Sequence, residues 1–514
     1  MRTENSIKNS ITSIFVNVAS MLLGFIAQAI FIRILGAEYL GLNGLFSNIL
    51  TMLSIFELGI GNAIIFKLYK PIANNNKEEI KTLMNFYKKA YYIIAILIGI
   101  VGLSLLPFIK NIVGEVTVEI NIYIIYVLCL TGTVSSYLLV YKRNLLYADQ
   151  KNYIINIVHI IYLILLNILQ IIMLLITKNY YLYLIIKICC QLFENILLTY
   201  ISNKTYPFLL EKNIRKLDKK TEKDIFDKVK AIFFHKIGTI IINGTDNIII
   251  SHYLGVIVVG FYSNYYMIIN AVLTLFGQII TSLTANVGNM LVIEDDIKKI
   301  KVFKQIRFLN FWLSCFSAIA ILLIIQPFIK QWVGEAYLLD FSVVIALTIN
   351  YFQKSMRSVY ITFKDSAGIW VEDKFIPLIE SIINIVASVF FLKIFGLIGV
   401  FIGTIVSGLI LWCYSYPKFI YKDLLKGSYK NYIKETIGYI FIFCIISLIT
   451  IAFSKICYVQ NNLLQIILNI VICIIIPNLL LFTLFRKTNN YIFFKDIIKN
   501  KLSKINHKEK GIIL

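Results

Sequence analysis

The chain has 514 residues, of which 59% are hydrophobic and 15% are charged, and its mean hydropathy is +0.79. This composition excludes a water-soluble globular protein and indicates a membrane protein. The net charge of +22 is explained by membrane topology and by contact with anionic lipid head groups, so we predict no binding of nucleic acid.

Apolar runs of about 20 residues recur from the beginning of the chain to its end. At 1.5 Å per residue, about 20 helical residues cross a hydrocarbon core of about 30 Å, and a spanning helix satisfies its own backbone hydrogen bonds. We therefore predict an all-α polytopic membrane protein with about 14 transmembrane helices. The predicted spans are 11–33, 43–66, 91–109, 120–141, 153–176, 180–201, 231–251, 256–291, 308–329, 341–362, 376–394, 396–416, 437–455 and 463–485.

The positions of Lys and Arg predict the orientation, because cytoplasmic loops retain an excess of these residues. If the amino terminus is inside, most of the basic residues fall in inner segments. The outer loops then hold only Arg33, Lys110, Lys178, Lys330, Lys393 and Lys455. We predict that both termini are cytoplasmic, which requires an even number of spans.

A repeat divides the chain into two copies. The nonapeptide PFIKNIVGE at 107–115 recurs as PFIKQWVGE at 327–335, and Leu35-Gly36-x4-Gly41 recurs as Leu254-Gly255-x4-Gly260. An even number of spans per copy predicts two parallel six-helix repeats, a layout of transporters that move two lobes around a central site. The predicted parts are an amino-terminal lobe at 1–202, a cytoplasmic linker at 203–230, a carboxyl-terminal lobe at 231–430, two additional transmembrane helices at 431–485 and a basic cytoplasmic tail at 486–514.

Nothing in the sequence indicates catalysis. The eight cysteines lie almost entirely in spans and form no C-x-x-C pair, and the four histidines form no ligand cluster. We predict no catalytic residue, no metal and no other cofactor.

Ionisable residues inside predicted spans need an explanation, because each costs about 2.5–3.5 kcal/mol on insertion scales. Lys187 and Glu194 lie seven residues apart, and we interpret them as neutralising charges of an adjacent helix. The whole set is Glu57, Lys187, Glu194, His235, Lys236, Asp246, Lys354, Arg357 and Glu380, with His159 as a weaker member.

The segment ILGAEYLGLNGLFSNILTMLSIFELGIGNAI, from Ile34 to Ile64, resembles the first loop and second span of bacterial polysaccharide flippases. These are the Wzx-type members of the multidrug/oligosaccharidyl-lipid/polysaccharide exporter superfamily. The resemblance covers the whole chain, with two six-span lobes followed by two added spans. It implies a MATE-like fold, a location in the bacterial cytoplasmic (inner) membrane, and movement of an undecaprenyl-diphosphate-linked oligosaccharide to the outer leaflet for capsule or O-antigen assembly.

Such a cargo requires cationic and polar residues in the membrane. Lys354 and Arg357 are three residues apart on one helix face and suit paired contact with diphosphate oxygens. The alternative is that both side chains snorkel, that is, extend to the lipid head groups of the inner leaflet. We predict that they bind the diphosphate together with Lys236, and that Asn17, which aligns with Lys236, contributes from the first copy. Polar residues of the eighth span, including Asn264, Asn270 and Gln278, are predicted to line water and bind sugar hydroxyls.

Three acids are candidates for coupling to H⁺ or Na⁺. Asp246 and Glu380 lie within spans, and Glu57 stands among glycines in FELGIG, where a structural role in close helix packing is equally consistent with the pattern. Two other functions stay open from the sequence. One is a multidrug or cation antiporter of the same superfamily, and the other is a membrane-embedded glycan-processing enzyme. Besides the cargo, the predicted partners are membrane lipids and a glycan polymerase.

Overall fold

A computed structural model describes residues 2–57, 59–114, 116–211, 217–369, 372–496 and 499, without the side chains of some residues in these ranges. The chain divides into two compact units. The first unit contains residues 1–263 and 374–400, and the second contains residues 264–373 and 401–514. The predicted lobes, linker and tail have other boundaries, and they stay a prediction.

The described residues form helices and no strands, which confirms the predicted all-α polytopic class. Short 3₁₀ turns join several of them, and a π-helix at Leu411–Leu424 follows α16 directly. The α-helices are α1 Arg2–Leu35, α2 Ala37–Leu53, α3 Ile60–Ala73, α4 Lys77–Ser104, α5 Ile109–Val113, α6 Ile122–Tyr137, α7 Val140–Ala148, α8 Asn152–Thr177, α9 Tyr180–Thr205, α10 Lys219–Leu254, α11 Val256–Thr281, α12 Thr284–Ile293, α13 Asp296–Trp332, α14 Phe341–Ala367, α15 Ile376–Phe395, α16 Leu397–Ile410, α17 Tyr429–Ile456 and α18 Asn462–Phe485.

In the part of the chain that the structure describes, 11 helices are long and apolar enough to cross a membrane. The number is 12 if α6 and α7, which are bent by 42° at their junction, form one broken span. The two other predicted spans, 231–251 and 341–362, lie in α10 and α14, which are long enough but carry more polar residues. The count of 14 therefore stays a prediction.

The capping residues at the amino-terminal ends of corresponding helices agree with the duplication that the sequence repeat predicts. Asn76 begins α4 and Asp295 begins α13, and each side chain accepts a hydrogen bond from the backbone N–H three residues later. Asn121 begins α6 and Asp340 begins α14, each accepting from the N–H two residues later. The hydrogen bonds from Ser342 hold the pKa of the Asp340 carboxyl below its usual range. Each pair of caps is separated by the same 219 residues as the glycine repeat, although Asn has become Asp.

The first unit is built around helix pairs that pack along much of their length. Helix α1 packs on α8, α8 on α9, and α10 on both α2 and α15. The contact between α10 and α15 is close, since a Cβ added at Gly238 would lie 2.2 Å from the carbonyl oxygen of Pro377. Small residues at such points let the two backbones approach, as is usual between helices in a membrane.

The second unit is centred on α13, which packs on α14, α17 and α18. Arg307 of α13 is fully buried and ties α17 to it, because its guanidinium donates to Glu435 at 3.1 Å and to Thr436 at 2.6 Å. The rings of Tyr360 and Tyr432 lie 5.7 and 5.3 Å from the same guanidinium. An ion pair, a hydroxyl and aromatic faces together compensate the burial of this charge.

Candidate functional site

Helix α14 carries a polar face in the second unit. Lys354 and Arg357 lie on it and are partly exposed, as is Ser358. The guanidinium of Arg357 lies against α16, because its Nη2 atom is 2.2 Å from the position that a Cβ on Gly408 would occupy. The side chain of Gln353 donates to the carbonyl oxygen of Ile405 at 3.1 Å, which is a second contact between α14 and α16. Arg357 therefore packs against a neighbouring helix of the same unit.

Helix α11 presents a polar stripe in the same unit. Asn270 and Gln278 are both exposed and lie eight residues apart, so they share one helix face. Gly277, the neighbour of Gln278, faces Ser358 of α14, whose Oγ atom would lie 4.0 Å from an added Cβ. At this point α11 thus lies next to α14, with Gln278 and Arg357 as the sequence neighbours of the two contacting residues. Asn264 is different, since it is fully buried and has its own bonding partner.

The first unit contains a cavity of about 310 Å³ between α2, the 3₁₀ turn that follows it, α6 and α9, and its lining is partly polar and partly apolar. Among the described residues that line it, Lys187 is the single charged one. The lining residues are Ser47, Leu50, Thr51, Ser54, Leu128, Cys129, Gly132, Thr133, Ser136, Tyr137, Leu184, Lys187, Ile188 and Gln191.

Lys187 and Glu194 have separate environments. Glu194 bonds His159 of α8, with 2.8 Å between Oε1 and Nδ1, as the interpretation of charge neutralisation predicts. Lys187 is exposed to the cavity and has no carboxylate within ion-pair distance among the described residues. For Lys187 the described residues show no such partner. The signal in the sequence that sequence reasoning missed is the hydroxyl-rich run TGTVSS at 131–136 on α6, which supplies Thr133 and Ser136 to the cavity.

Glu57 ends a 3₁₀ turn between α2 and α3 and lies among tyrosines of the first unit. Tyr91 donates to its Oε1 atom at 2.6 Å, and Tyr137 lies close to the same carboxylate. Tyr87 in turn contacts Tyr91 at 3.4 Å between hydroxyl oxygens. Gly61 leaves room for the cluster, since an added Cβ would be 2.8 Å from the Tyr91 hydroxyl. The geometry is compatible with both the structural and the coupling role.

Asp246 and Glu380 are buried, with 7% and 4% of their surface exposed, on two helices that pack together, α10 and α15. Thr245, next to Asp246, donates to Asn384 at 3.3 Å, and Asn384 is one turn from Glu380. Both acids have bonding partners. Carboxylate, amide and hydroxyl oxygens are ligands that suit a hard cation. The described residues contain no group of three His, Cys, Asp or Glu side chains that would hold a metal ion.

The two remaining predicted residues are not placed in a site. Asn17 is exposed on α1 and does not line the described cavity. Lys236 belongs to α10, but its side chain, like that of His235, lies outside the described part of the structure. Their roles in binding stay a prediction.

Comparison with known proteins gives one family and one fold. A family model described as polysaccharide biosynthesis protein matches residues 6–284. No curated protein matches the sequence. The structure is similar to that of the lipid II flippase MurJ in an inward closed conformation, with a TM-score of 0.67 and 15% identity over 96% of this chain and 100% of that chain. It is also similar to an inward-facing multidrug resistance MATE family transporter of the MOP superfamily, with a TM-score of 0.56 and 13% identity over 78% of this chain and 94% of that chain.

Proposed function

The chain belongs to the polysaccharide biosynthesis protein family, and we propose that it is a flippase for a lipid-linked oligosaccharide. The cargo is an undecaprenyl-diphosphate-linked repeat unit, moved from the inner to the outer leaflet of the bacterial cytoplasmic membrane for capsule- or O-antigen-type polysaccharide. The termini of the protein are cytoplasmic in this proposal. The multi-pass helical fold, shared with a protein named as a lipid II flippase, supports it.

The observation that carries the proposal is the meeting of the basic face of α14 with the polar stripe of α11. A polar stripe exposed inside a membrane faces water, because exposure to hydrocarbon would leave its hydrogen-bonding groups unsatisfied. Lys354 and Arg357 supply positive charge beside that water, and Arg can bind two phosphate oxygens at once. Asn270 and Gln278 supply amide groups for sugar hydroxyls. Lys236, Asn17 and Asn264 are further candidates for binding the cargo that rest on the sequence alone, and the burial of Asn264 argues against direct contact with sugar.

The two buried acids of the first unit provide a place for a coupling ion. Asp246 and Glu380, with the nearby oxygens of Thr245 and Asn384, would bind H⁺ or Na⁺ in this proposal. A ligand biases two conformations only by its difference in affinity for them, so the ion must bind one conformation more tightly. Removing one acid by Asp246→Asn should therefore abolish the dependence of transport on the ion gradient and leave binding of the cargo intact.

The test of the diphosphate site replaces Lys354 or Arg357 by Gln, which removes charge with little change of volume. Each variant should fail to complement a flippase-deficient strain and should lose transport of a fluorescent undecaprenyl-diphosphate oligosaccharide in proteoliposomes, at unchanged protein abundance. Arg357→Lys should retain part of the activity, because charge survives but the bidentate geometry does not. Lys393→Gln is the control, since Lys393 is exposed at the end of α15. Full activity of both Gln variants would refute this site.

The similarity to MATE transporters favours multidrug antiport as a second candidate. The same proteoliposomes distinguish the two functions. A flippase moves the lipid-linked cargo and does not accumulate a cationic dye against a gradient. Accumulation of the dye without movement of the lipid would assign the chain to antiport.

A further inference from the structure

Among the described residues, the lining of the first unit's cavity combines one cation with several hydroxyl groups and with apolar side chains. Its volume of about 310 Å³ is at the lower end for small-molecule sites, and its lining belongs to α2, to the 3₁₀ turn that follows it, to α6 and to α9. The diphosphate site of the proposed function uses residues of other helices, so this cavity has no role yet.

The hydroxyl groups of the wall present oxygen lone pairs to the cavity. Thr51 and Ser54 on one side donate to carbonyl oxygens of their own segment at 2.7 and 2.6 Å. Thr133 and Ser136 on α6 do the same at 3.1 and 2.6 Å. A hydroxyl whose proton is used in this way can still accept a hydrogen bond. The wall therefore suits a ligand that donates several hydrogen bonds, as the hydroxyl groups of a sugar do.

Lys187 supplies the complementary charge. It lies on α9 and lines the cavity, and the acid two turns further along, Glu194, bonds His159 instead. A lysine inside a membrane without an ion-pair partner is costly, and such residues usually mark a ligand or ion pathway. The amide of Gln191, one turn away on the same helix, lines the cavity with it.

We propose that this cavity is a subsite for one sugar unit that carries an anionic group, a carboxylate or a phosphate ester. The ammonium of Lys187 binds the anionic oxygens, and the hydroxyl wall accepts hydrogen bonds from the sugar. The inference rests on the proposed function, since the sugar belongs to the transported oligosaccharide. The subsite predicts that the protein transports acidic repeat units in preference to neutral ones.

The first test measures, without transport, the effect of the Lys187 charge at the thiol of Cys129, which lines the same cavity. In the purified full chain, modification of Cys129 by a negatively charged and by a positively charged methanethiosulfonate reagent is followed by peptide mass spectrometry. Lys187→Gln should lower the preference for the negative reagent about fivefold or more, since a charge at this range acts strongly on a charged reagent. Cys413, exposed in the second unit, is the internal reference. An unchanged preference at Cys129 would overturn the proposal.

The second test identifies the ligand by protection of Cys129. Glucuronate and glucose 1-phosphate should slow the modification in the wild-type protein and in the control Lys204→Gln, which lies at the exposed end of α9. Neither should protect Lys187→Gln. Glucose tests the sugar alone and inorganic phosphate tests the anion alone, and both should protect less. Equal protection by inorganic phosphate and glucose 1-phosphate would refute a sugar subsite and assign the cavity to a simple anion.

The third test connects the subsite to transport and separates the two proposals. Lys187→Gln should slow flipping of an oligosaccharide with a uronic acid by about tenfold or more and leave a neutral oligosaccharide unaffected. If Lys187→Gln changed the rate of both cargoes by the same factor relative to the wild-type protein, or changed neither, the subsite would be overturned while the flippase function stands. Failure of the wild-type protein to move either cargo would refute the flippase function. The reactivity and protection of Cys129 would then decide alone whether the cavity binds an anionic sugar.

Discussion

Gly41 and Gly260 lie 219 residues apart in the chain and make reciprocal contacts between α2 and α11. A Cβ added at Gly41 would be 1.9 Å from the carbonyl oxygen of Val256, and one added at Gly260 would be 2.1 Å from that of Ala37. Ala37 and Val256 are themselves separated by 219 residues. The equivalent positions of the two sequence copies therefore contact each other as in a two-fold symmetric interface.

We expect either Gly→Ala substitution at this crossing to destabilise the protein, because the added carbon meets backbone atoms that cannot rotate away. The cost should be about 1–3 kcal/mol, as for overpacking elsewhere, and it should appear as a lower Tm in detergent. The double variant Gly41→Ala with Gly260→Ala should lose less than the sum, since both changes separate the same two helices. Gly438→Ala is the matched control, because an added Cβ there has no atom within 4 Å. A Tm for Gly41→Ala equal to that of the control would contradict the contact.

A hydrogen bond from α18 compensates a proline in α13. Pro327 lacks an N–H, and the carbonyl oxygen of Leu323 that this N–H would have bonded accepts instead from Asn469 at 2.9 Å. Asn469→Leu should therefore lower the stability by about 1 kcal/mol, the usual size of a hydrogen bond between helices in a membrane. In a Pro327→Ala background the same substitution should cost less, because the introduced alanine supplies its own N–H. Equal costs in both backgrounds, measured by thermal unfolding, would mean that Asn469 acts in another way.

Gly408 keeps space for the guanidinium of Arg357. An added Cβ would lie 2.2 Å from Nη2 of Arg357 and 2.6 Å from Oε1 of Gln353, and both atoms are ends of flexible side chains. We expect Gly408→Ala to displace Arg357 and reduce transport several-fold while the Tm changes little. The effect should disappear in the Arg357→Gln background, where the remaining activity and the Tm are compared with and without the substitution. A further loss in that background would show that Gly408 acts independently of Arg357.

Glu57 offers a choice between a structural and a coupling role that substitutions can decide. Glu57→Gln keeps an oxygen that accepts the hydrogen bond of Tyr91, so the Tm should be retained. Glu57→Leu leaves that buried hydroxyl without an acceptor and should cost about 1–3 kcal/mol. We expect transport by Glu57→Gln to keep its dependence on the ion gradient, as a structural residue would. Loss of this dependence at unchanged Tm would instead make Glu57 a coupling residue.

The sequence by itself determined the helical class and the duplication. The length of an apolar run and the spacing of glycines are local properties, and in a membrane they are enough to predict where helices form and where they break. The segment Ile34–Ile64 also indicated the family, which the family model confirms. The environments of single charges were not determined in this way. Lys187 and Glu194 look equivalent as two ionisable residues of one span, but only Glu194 has a described partner on the neighbouring helix.

The repeated nonapeptide shows most directly what only the tertiary structure decided. In both copies a glycine with a positive φ, Gly114 at 76° and Gly334 at 114°, follows the helix end, as the shared sequence requires. In the first copy the helix stops before Pro107, and a 3₁₀ turn and α5 follow. In the second copy α13 runs through Pro327, and Asn469 of α18 satisfies the carbonyl that the proline leaves open. The two nonapeptides share seven of their nine residues but differ in structure, and α18 contacts the second copy where its proline leaves a carbonyl oxygen open.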